Sequence, residues 1–514
     1  MSADAEVDVA VVGAGAAGLY AALCAAREGA SVALLSAMPL AQTASYWAQG
    51  GLAAVLSADD STELHLSDTE RAGRGAVRRS AAETLVREAP DCVRDLERLG
   101  FHFDADRHGR LALGLEGGHS VRRIVHAGGS ATGRRLLREL SALAVAQAGV
   151  RVIEGARVVG LLQAEGRCHG VVCGPAADTS ALRPARRTVA ARAVVLSTGG
   201  AAALWARTTN PPGSIGQGLL LAHAAGAPLA DLEFVQFPPT AVIGVEGREG
   251  FLITEAIRGE GATLLDPAGE RFVDELAPRD EVSRAIQIRL RESGERSVSL
   301  DMRAIDPALF PNVVGALREA GLDPMRELVP VAPAAHYTIG GVVTDLHARS
   351  PVAGLYAVGE TACTGLHGAN RLASNSLSEC FVFGRRAALA ALDEPVRTSP
   401  RSDPTPAPTP PLRSAGSAPV ALAGRRSEEP PIGEQSTRTA LWKHAGIERT
   451  AGGLRSLLED PHPLARLIAR SALEREESRG THMRTDHPER DSRLDGRHVV
   501  VSEPGEELEW ELWS

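Results

Sequence analysis

Val7-Asp8-Val9-Ala10-Val11-Val12, followed directly by Gly13-Ala14-Gly15-Ala16-Ala17-Gly18, is the stretch on which the fold turns. The valine-rich six read as a short strand, the glycine hexad as a tight turn, and residues 19–28 as a helix. In such a turn Gly13 permits the reversal, Gly15 lets backbone approach a pyrophosphate, and Gly18 lets helix pack on strand. The amides of Ala16 and Ala17 then offer the helix N-terminus to phosphate. A second strand at 31–35 completes a βαβ unit and predicts a parallel, doubly wound sheet. The acidic residue that often binds the ribose about twenty residues on is replaced by Ser36, so the turn alone does not choose between FAD and NAD.

Two further strand-like runs, 193–196 and 355–358, end in Ser197-Thr198-Gly199-Gly200 and Gly359-Glu360. Ligands of open parallel sheets gather beyond the carboxyl ends of the strands, so three glycine-bearing ends mark one site. Residues 1–226 and 340–393 are expected to form this discontinuous nucleotide-binding domain, interrupted by an inserted domain of mixed strands and helices at 227–339. Residues 394–436 include Pro404-Thr405-Pro406-Ala407-Pro408-Thr409-Pro410-Pro411 and read as a linker too poor in apolar surface to fold. The spacing of Leu441, Ile447, Leu454, Leu457, Leu464 and Ile468 predicts a C-terminal helical domain over 437–514. Its last residues, rich in Glu and Trp, receive no element.

At 514 residues the chain is too long for a single core. A formal net charge of −9 argues against a nucleic-acid binder. Residues 7–26 are apolar enough to suggest a membrane span, but Asp8 and three glycines favour strand, turn and helix. The six cysteines make no CxxC pair, which predicts free thiols and a reducing compartment, the cytoplasm.

Longer motifs occur in order along the chain. They are residues 46–51 (Tyr-Trp-Ala-Gln-Gly-Gly), Glu116-Gly117-Gly118-His119-Ser120, residues 254–261 beginning Thr254-Glu255, residues 275–280 (Glu-Leu-Ala-Pro-Arg-Asp), residues 333–337 (Pro-Ala-Ala-His-Tyr) and residues 366–377, which contain Arg371 and Ser374-Asn375-Ser376-Leu377. On these the chain resembles the succinate dehydrogenase/fumarate reductase flavoprotein family, and within it the branch that oxidises L-aspartate. The resemblance covers nearly the whole chain apart from the linker and the extreme C-terminus.

It implies an α/β fold: a Rossmann-type FAD-binding domain, an inserted α+β capping domain and a C-terminal helical domain. The dehydrogenases of the family bond FAD covalently through a histidine where this chain has Ala44, so FAD is expected to be held non-covalently. Positions matched to the cofactor are Gly13, Gly15, Ala16, Ala17, Gly18, Ser36, Ala44, Ser45, Gln49, Gly50, Gly51, Thr198, Gly199, Gln217, Glu360, Ser374, Asn375, Ser376 and Leu377.

Arg279 and Arg371 are the matched grips for two substrate carboxylates, chemistry that suits a planar bidentate donor; His336 is a further donor. Arg279 also matches the proton donor of the fumarate-reducing direction. Glu116 matches a carboxylate facing the substrate's ammonium, while Thr254 and Glu255 either line the pocket or cap a helix. The implied reaction moves hydride from the substrate Cα to flavin N5 and yields iminoaspartate, with oxygen or fumarate reoxidising the flavin. Quinolinate synthase then uses the iminoaspartate on the way to NAD.

The chain departs from the family at two places. Pro238 stands where relatives have a carboxylate-binding histidine, and Gln217 replaces an aspartate near FAD. Pro238 offers neither charge nor donor, which keeps open a weakened or silent flavoprotein. A soluble fumarate reductase or succinate oxidase is the other alternative.

Overall fold

Strand β1 (Ala5–Val12) lies between β2 (Val32–Ser36) and the strand Arg187–Leu196, parallel to both. Val150–Glu154 extends the sheet beyond β2, and Leu355–Ala357 pairs in parallel with Arg187–Leu196. An antiparallel hairpin, Ala156–Ala164 with Arg167–Pro175, closes the other edge. The computed structural model describes residues 5–175, 187–395, 434–502 and 507–514. Most of the expected linker lies outside the described residues.

Side chains alternate across a strand. Accordingly Val9 and Val11 enter one core and Ala10 and Val12 another. The first is covered by helix α1 (Ala16–Arg27) and the helices Arg79–Arg98, Thr132–Ala146 and Asn375–Leu392. The second is covered by Trp205, the helix Gln217–Ala224 and the C-terminal helices. Burial on both faces explains why these strands read as unbroken apolar runs. The α/β class expected from the βαβ pattern is the one observed.

The inserted unit is an antiparallel four-stranded sheet, Ala241–Val242, Val329–Ala332, Val298–Asp301 and Thr263–Leu265, under the helices Arg279–Ser293 and Pro311–Glu319. Its own core runs from Val242 to Ala332. That is tighter than the expected 227–339, because Leu229, Leu232, Val235, Phe237 and Ala335 pack into the core of the nucleotide-binding domain. The chain crosses between the two through a narrow antiparallel neck, Val235–Gln236 against Tyr337–Thr338.

The C-terminal region is helical only at Gln435–His444, Ala451–Leu457 and Pro463–Glu474. Beyond these the expectation of helix fails. Arg497–Ser502 and Glu507–Leu512 form a hairpin that joins Leu229–Ala230, Gly341–Val343 and Ala362–Cys363 in a five-stranded sheet. The local sequences favour that outcome: a valine triplet in one strand, and strict alternation of glutamate with Leu or Trp in the other. Among the described residues no helix is long and apolar enough to cross a membrane.

Candidate active site

The three glycine-bearing ends belong to neighbouring parallel strands and therefore converge. Gly13 has a left-handed φ of +108°, and a Cβ there would meet the Ser197 carbonyl oxygen at 2.3 Å. A Cβ at Gly18 would lie 2.0 Å from the Gly13 carbonyl oxygen, so helix and turn approach as the motif requires. Helix α1 begins with Gly15 as an uncapped N-terminus and carries no acid in its first turn, leaving its positive end unspent.

Residues 43–51 run from this helix end to another. The Ala16 amide donates to Ser45 Oγ at 3.2 Å, and the Gly51 amide donates to Ser374 Oγ at 3.1 Å. Ser374, at φ +60°, opens the helix Asn375–Leu392 without capping it. Along the run Thr43 Oγ1 and Gln49 Oε1 are buried and take no hydrogen-bond partner. Two helix N-termini without side-chain caps, joined by a run with orphaned acceptors, suit a long ligand with an anionic middle and an electron-rich ring system, and FAD has that form. Gly50 lies beside Ser374 and Glu116, and the Ala44 methyl offers nothing for a covalent bond.

Thr198 shares a hydroxyl contact with Thr361, whose hydroxyl also donates to the Gly199 carbonyl at 3.2 Å. Glu360 accepts the Thr338 amide at 2.9 Å, and burial still pushes its carboxyl up to about 7 against those hydrogen bonds. Other matched side chains are spent within the protein. Ser36 donates to the Met38 carbonyl. Gln217 accepts from Arg157 and donates to the Val158 carbonyl. Asn375 holds His65 and Thr69, and Leu377 is core.

At the neck, two arginines from different domains meet one amide. Arg371 Nη2 donates to Gln236 Oε1 at 2.8 Å, and Arg279 Nη1 reaches the same oxygen at 3.3 Å. Gln236 turns its own amide to Asn370 and the Arg371 carbonyl. Arg371 also donates to Ser376 Oγ at 2.9 Å and lies 4.8 Å from the centre of the Tyr337 ring. It makes no ion pair among the described residues, and its buried Nε has no partner. Burial and the positive Arg279 bring its guanidinium down to about 10.

His336 is fixed by Thr209 Oγ1 at 2.7 Å from Nδ1 and by Asn210 on its carbonyl. Burial, Arg371 and Arg279 hold it well below the ordinary histidine range. The tautomer with its proton on Nε2, in which Nδ1 accepts from the Thr209 hydroxyl, is the one that can donate to a substrate carboxylate.

Across from these donors lies Glu116, buried, accepting from Ser374 Oγ at 2.6 Å and lying 3.3 Å from His126 Nε2. Burial alone would raise its carboxyl, but His126, Ser374 and the charge of Arg279 bring it down to about 2. Glu255 neither caps a helix nor stands alone: Arg279 Nε donates to it at 2.5 Å. A Cβ at Gly117 would collide with Glu255 at 1.8 Å, so the inserted domain closes directly onto the Glu116 loop. The Thr254 hydroxyl caps nothing either.

Arg279, Arg371, His336, Glu116 and Glu255 are thus brought to one cleft between the domains. Sequence reading missed Gln236 and His126 there. Gln236 stands two residues before Pro238 as an amide between Val235 and Phe237, which was the available signal. At Pro238 the chain is buried and contributes only a carbonyl, which accepts from the Ala334 amide at 3.4 Å.

The model for the FAD binding domain matches residues 8–377, and that for the fumarate reductase flavoprotein C-terminus matches 458–512. An L-aspartate oxidase of Streptomyces coelicolor is 42% identical over 96% of this chain and 91% of its own length. One of Caulobacter vibrioides is 44% identical over 96% of each. Among solved structures, the FrdA chain of E. coli quinol fumarate reductase superposes with a TM-score of 0.84 at 27% identity, covering 99% of this chain and 96% of the other.

Proposed function

The chain belongs to the L-aspartate oxidases of the succinate dehydrogenase/fumarate reductase flavoprotein family, and from that membership we propose how this cleft oxidises L-aspartate to iminoaspartate. Arg371 and Arg279 grip the substrate carboxylates, with His336 as a third donor. Glu116 receives the ammonium. Residues 43–51 and the N-termini of the helices Ala16–Arg27 and Asn375–Leu392 would hold FAD non-covalently, and when bound it would supply the hydride acceptor, with oxygen or fumarate as the final oxidant.

The protein's contribution is position and charge. Gln236 spaces the two guanidiniums from its single oxygen. Glu255 keeps Arg279 charged at the entrance, against the cost of its burial. Closure of the inserted domain on the Glu116 loop excludes water from the reacting bond. The observation that carries this reading is the pairing of opposites: an arginine with no carboxylate of its own, and an ionised carboxylate across the cleft. Iminoaspartate passes to quinolinate synthase as the first step toward NAD, in the reducing cytoplasm.

The test is the anaerobic visible spectrum of the purified protein before and after L-aspartate. Flavin bands that bleach with L-aspartate and persist with succinate support the assignment. Bands that persist with both would sink it in favour of a silent relative, and bleaching with succinate would favour a succinate oxidase.

A further inference from the structure

Amino-acid oxidation needs a proton to leave before the hydride does. The lone pair of a free amine forms the new C=N bond as hydride departs from Cα, and an ammonium has no lone pair to give. L-Aspartate reaches the enzyme as the ammonium near neutral pH. One N–H bond must therefore break inside a cleft from which water is excluded.

Resting on the placement of that ammonium against Glu116, we propose that Glu116 and His126 form the exit path for its proton, with His126 acting through Glu116 as a positioning residue. The geometry has three parts. Glu116 has a side chain only 6% exposed, so it has no direct route to solvent. Its Oε2 is held tightly by Ser374 at 2.6 Å, whereas Oε1 is held loosely, 3.3 Å from His126 Nε2. The His126 side chain is 22% exposed, its Nδ1–Cε1 edge runs past the side-chain-free Gly114, and it has no second hydrogen-bond partner among the described residues, which leaves Nδ1 for water. Of the partners that Glu116 has among the described residues, Ser374 is buried and His126 is the one that reaches solvent.

A proton leaves the substrate nitrogen for Glu116 Oε1, and the carboxyl so formed donates it to Nε2 of a neutral His126 that carries its own proton on Nδ1, giving an imidazolium. That imidazolium loses its Nδ1 proton to water, and exchange of the remaining Nε2 proton with solvent restores the Nδ1–H ring for the next turnover. The substrate keeps a neutral amine, Glu116 returns to carboxylate, and no other reactant is consumed. Charged and titratable groups around the pair are His119 and Arg279, which act on Glu116, Glu255 behind Gly117, Asp104 beneath the Gly128 and Gly129 amides, and Arg135 against Gly128. Histidine is the side chain suited to such a relay near neutrality.

The experiment compares FAD-loaded wild type, His126→Gln and Glu116→Gln in kcat/KM for L-aspartate between about pH 6 and 9, with calorimetric binding of succinate alongside. His126→Gln keeps a hydrogen bond to Glu116 but cannot relay. It is expected to bind succinate within about twofold of wild type and to lose on the order of a hundredfold in kcat near pH 7, more than in KM. Part of that loss returns as pH rises and free amine becomes available, and imidazole restores part of it to His126→Ala. Wild-type turnover and an unchanged pH profile in His126→Gln would overturn the relay. If Glu116→Gln alone is impaired, only the relay falls. If Glu116→Gln also turns over L-aspartate normally, the ammonium placement falls with it. If His126→Gln fails to bind succinate or FAD, His126→Ala decides: no response to imidazole overturns the proposal.

Discussion

Arg371 and Arg475 are alike in almost every respect that composition or burial records. Both are buried, and both lie over aromatic rings, Arg371 at 4.8 Å from Tyr337 and Arg475 at 4.7 Å from Phe234. Their partners differ. Arg475 pairs with Glu233 at 2.6 Å and Glu477 at 3.0 Å, and its neighbours Arg479 and Arg484 are likewise answered by Glu477, Asp495 and Asp486. Arg371 meets only an amide, a hydroxyl and a ring face. Arg449 is the intermediate case: burial brings it down to about 10, it makes no ion pair among the described residues and its Nη2 has no partner, but its Nε and Nη1 meet the Gly446 and Glu233 carbonyls, so backbone fills the place a ligand would take. A buried cation is costly unless an anion compensates. Where the fold supplies a contacting anion, as for Arg475, the arginine is structural; where none touches a guanidinium that faces a cleft, as for Arg371, a ligand can supply it.

The largest effect should come from Arg371→Met. Two charge-assisted hydrogen bonds to a substrate carboxylate are worth roughly 1.5–3 kcal/mol each, so kcat/KM for L-aspartate should fall at least a hundredfold. Removal of an uncompensated buried charge should meanwhile leave the denaturation midpoint of the substrate-free protein unchanged or slightly raised. Near-normal succinate affinity in this variant would break the comparison at its functional end.

Arg475→Met should show the reverse. It strands Glu233 in the interior, already pushed up by burial against the pull of Arg475, while Glu477 keeps Arg479 at 2.7 Å. Breaking such a buried network costs about 3–5 kcal/mol, read as a lowered denaturant midpoint. Succinate affinity of the fraction that folds should change little. A variant as stable as wild type would show that the carboxylates are neutral or hydrated in place, and that Arg475 is not what compensates them.

This contrast marks where sequence reading stops. The nucleotide end was legible because its signals are local: Gly13, Gly15 and Gly18 act within six residues, on strands whose apolar runs announce double burial. Glu116, Arg279, His336 and Arg371 were legible through motifs that travel with them. Arg475, by contrast, gives no local sign of its burial, because its anions Asp231 and Glu233 lie some 240 positions earlier in the chain. His126 has the same difficulty: nothing beside it in the chain points to Glu116, which it meets only because the Leu113–Gly114 strand folds back on Ile124–Val125. The closing hairpin was a different kind of miss, since Glu507–Leu512 carries the period-two alternation of a strand in plain view.

Pro238→His sharpens the comparison from its weakest side. If Arg371 is a cation awaiting a carboxylate, a histidine at 238 adds one more donor to the same end of the cleft. One charge-assisted hydrogen bond sets a ceiling of about 1.5–3 kcal/mol. Part of that gain is offset by seating an imidazole at a buried position next to Phe237, which packs edge-on against Trp205 and Trp442. The expected rise in kcat/KM is therefore severalfold to tenfold, on the order of 1 kcal/mol. Because the new donor acts on a carboxylate, succinate affinity should rise in parallel. A gain for L-aspartate alone would move the 238 position to the amine end of the cleft and put Glu116 in a new light. No gain for either ligand would mean that Arg371, Arg279 and His336 already saturate the carboxylates, so that the loss of the family's histidine costs this chain nothing.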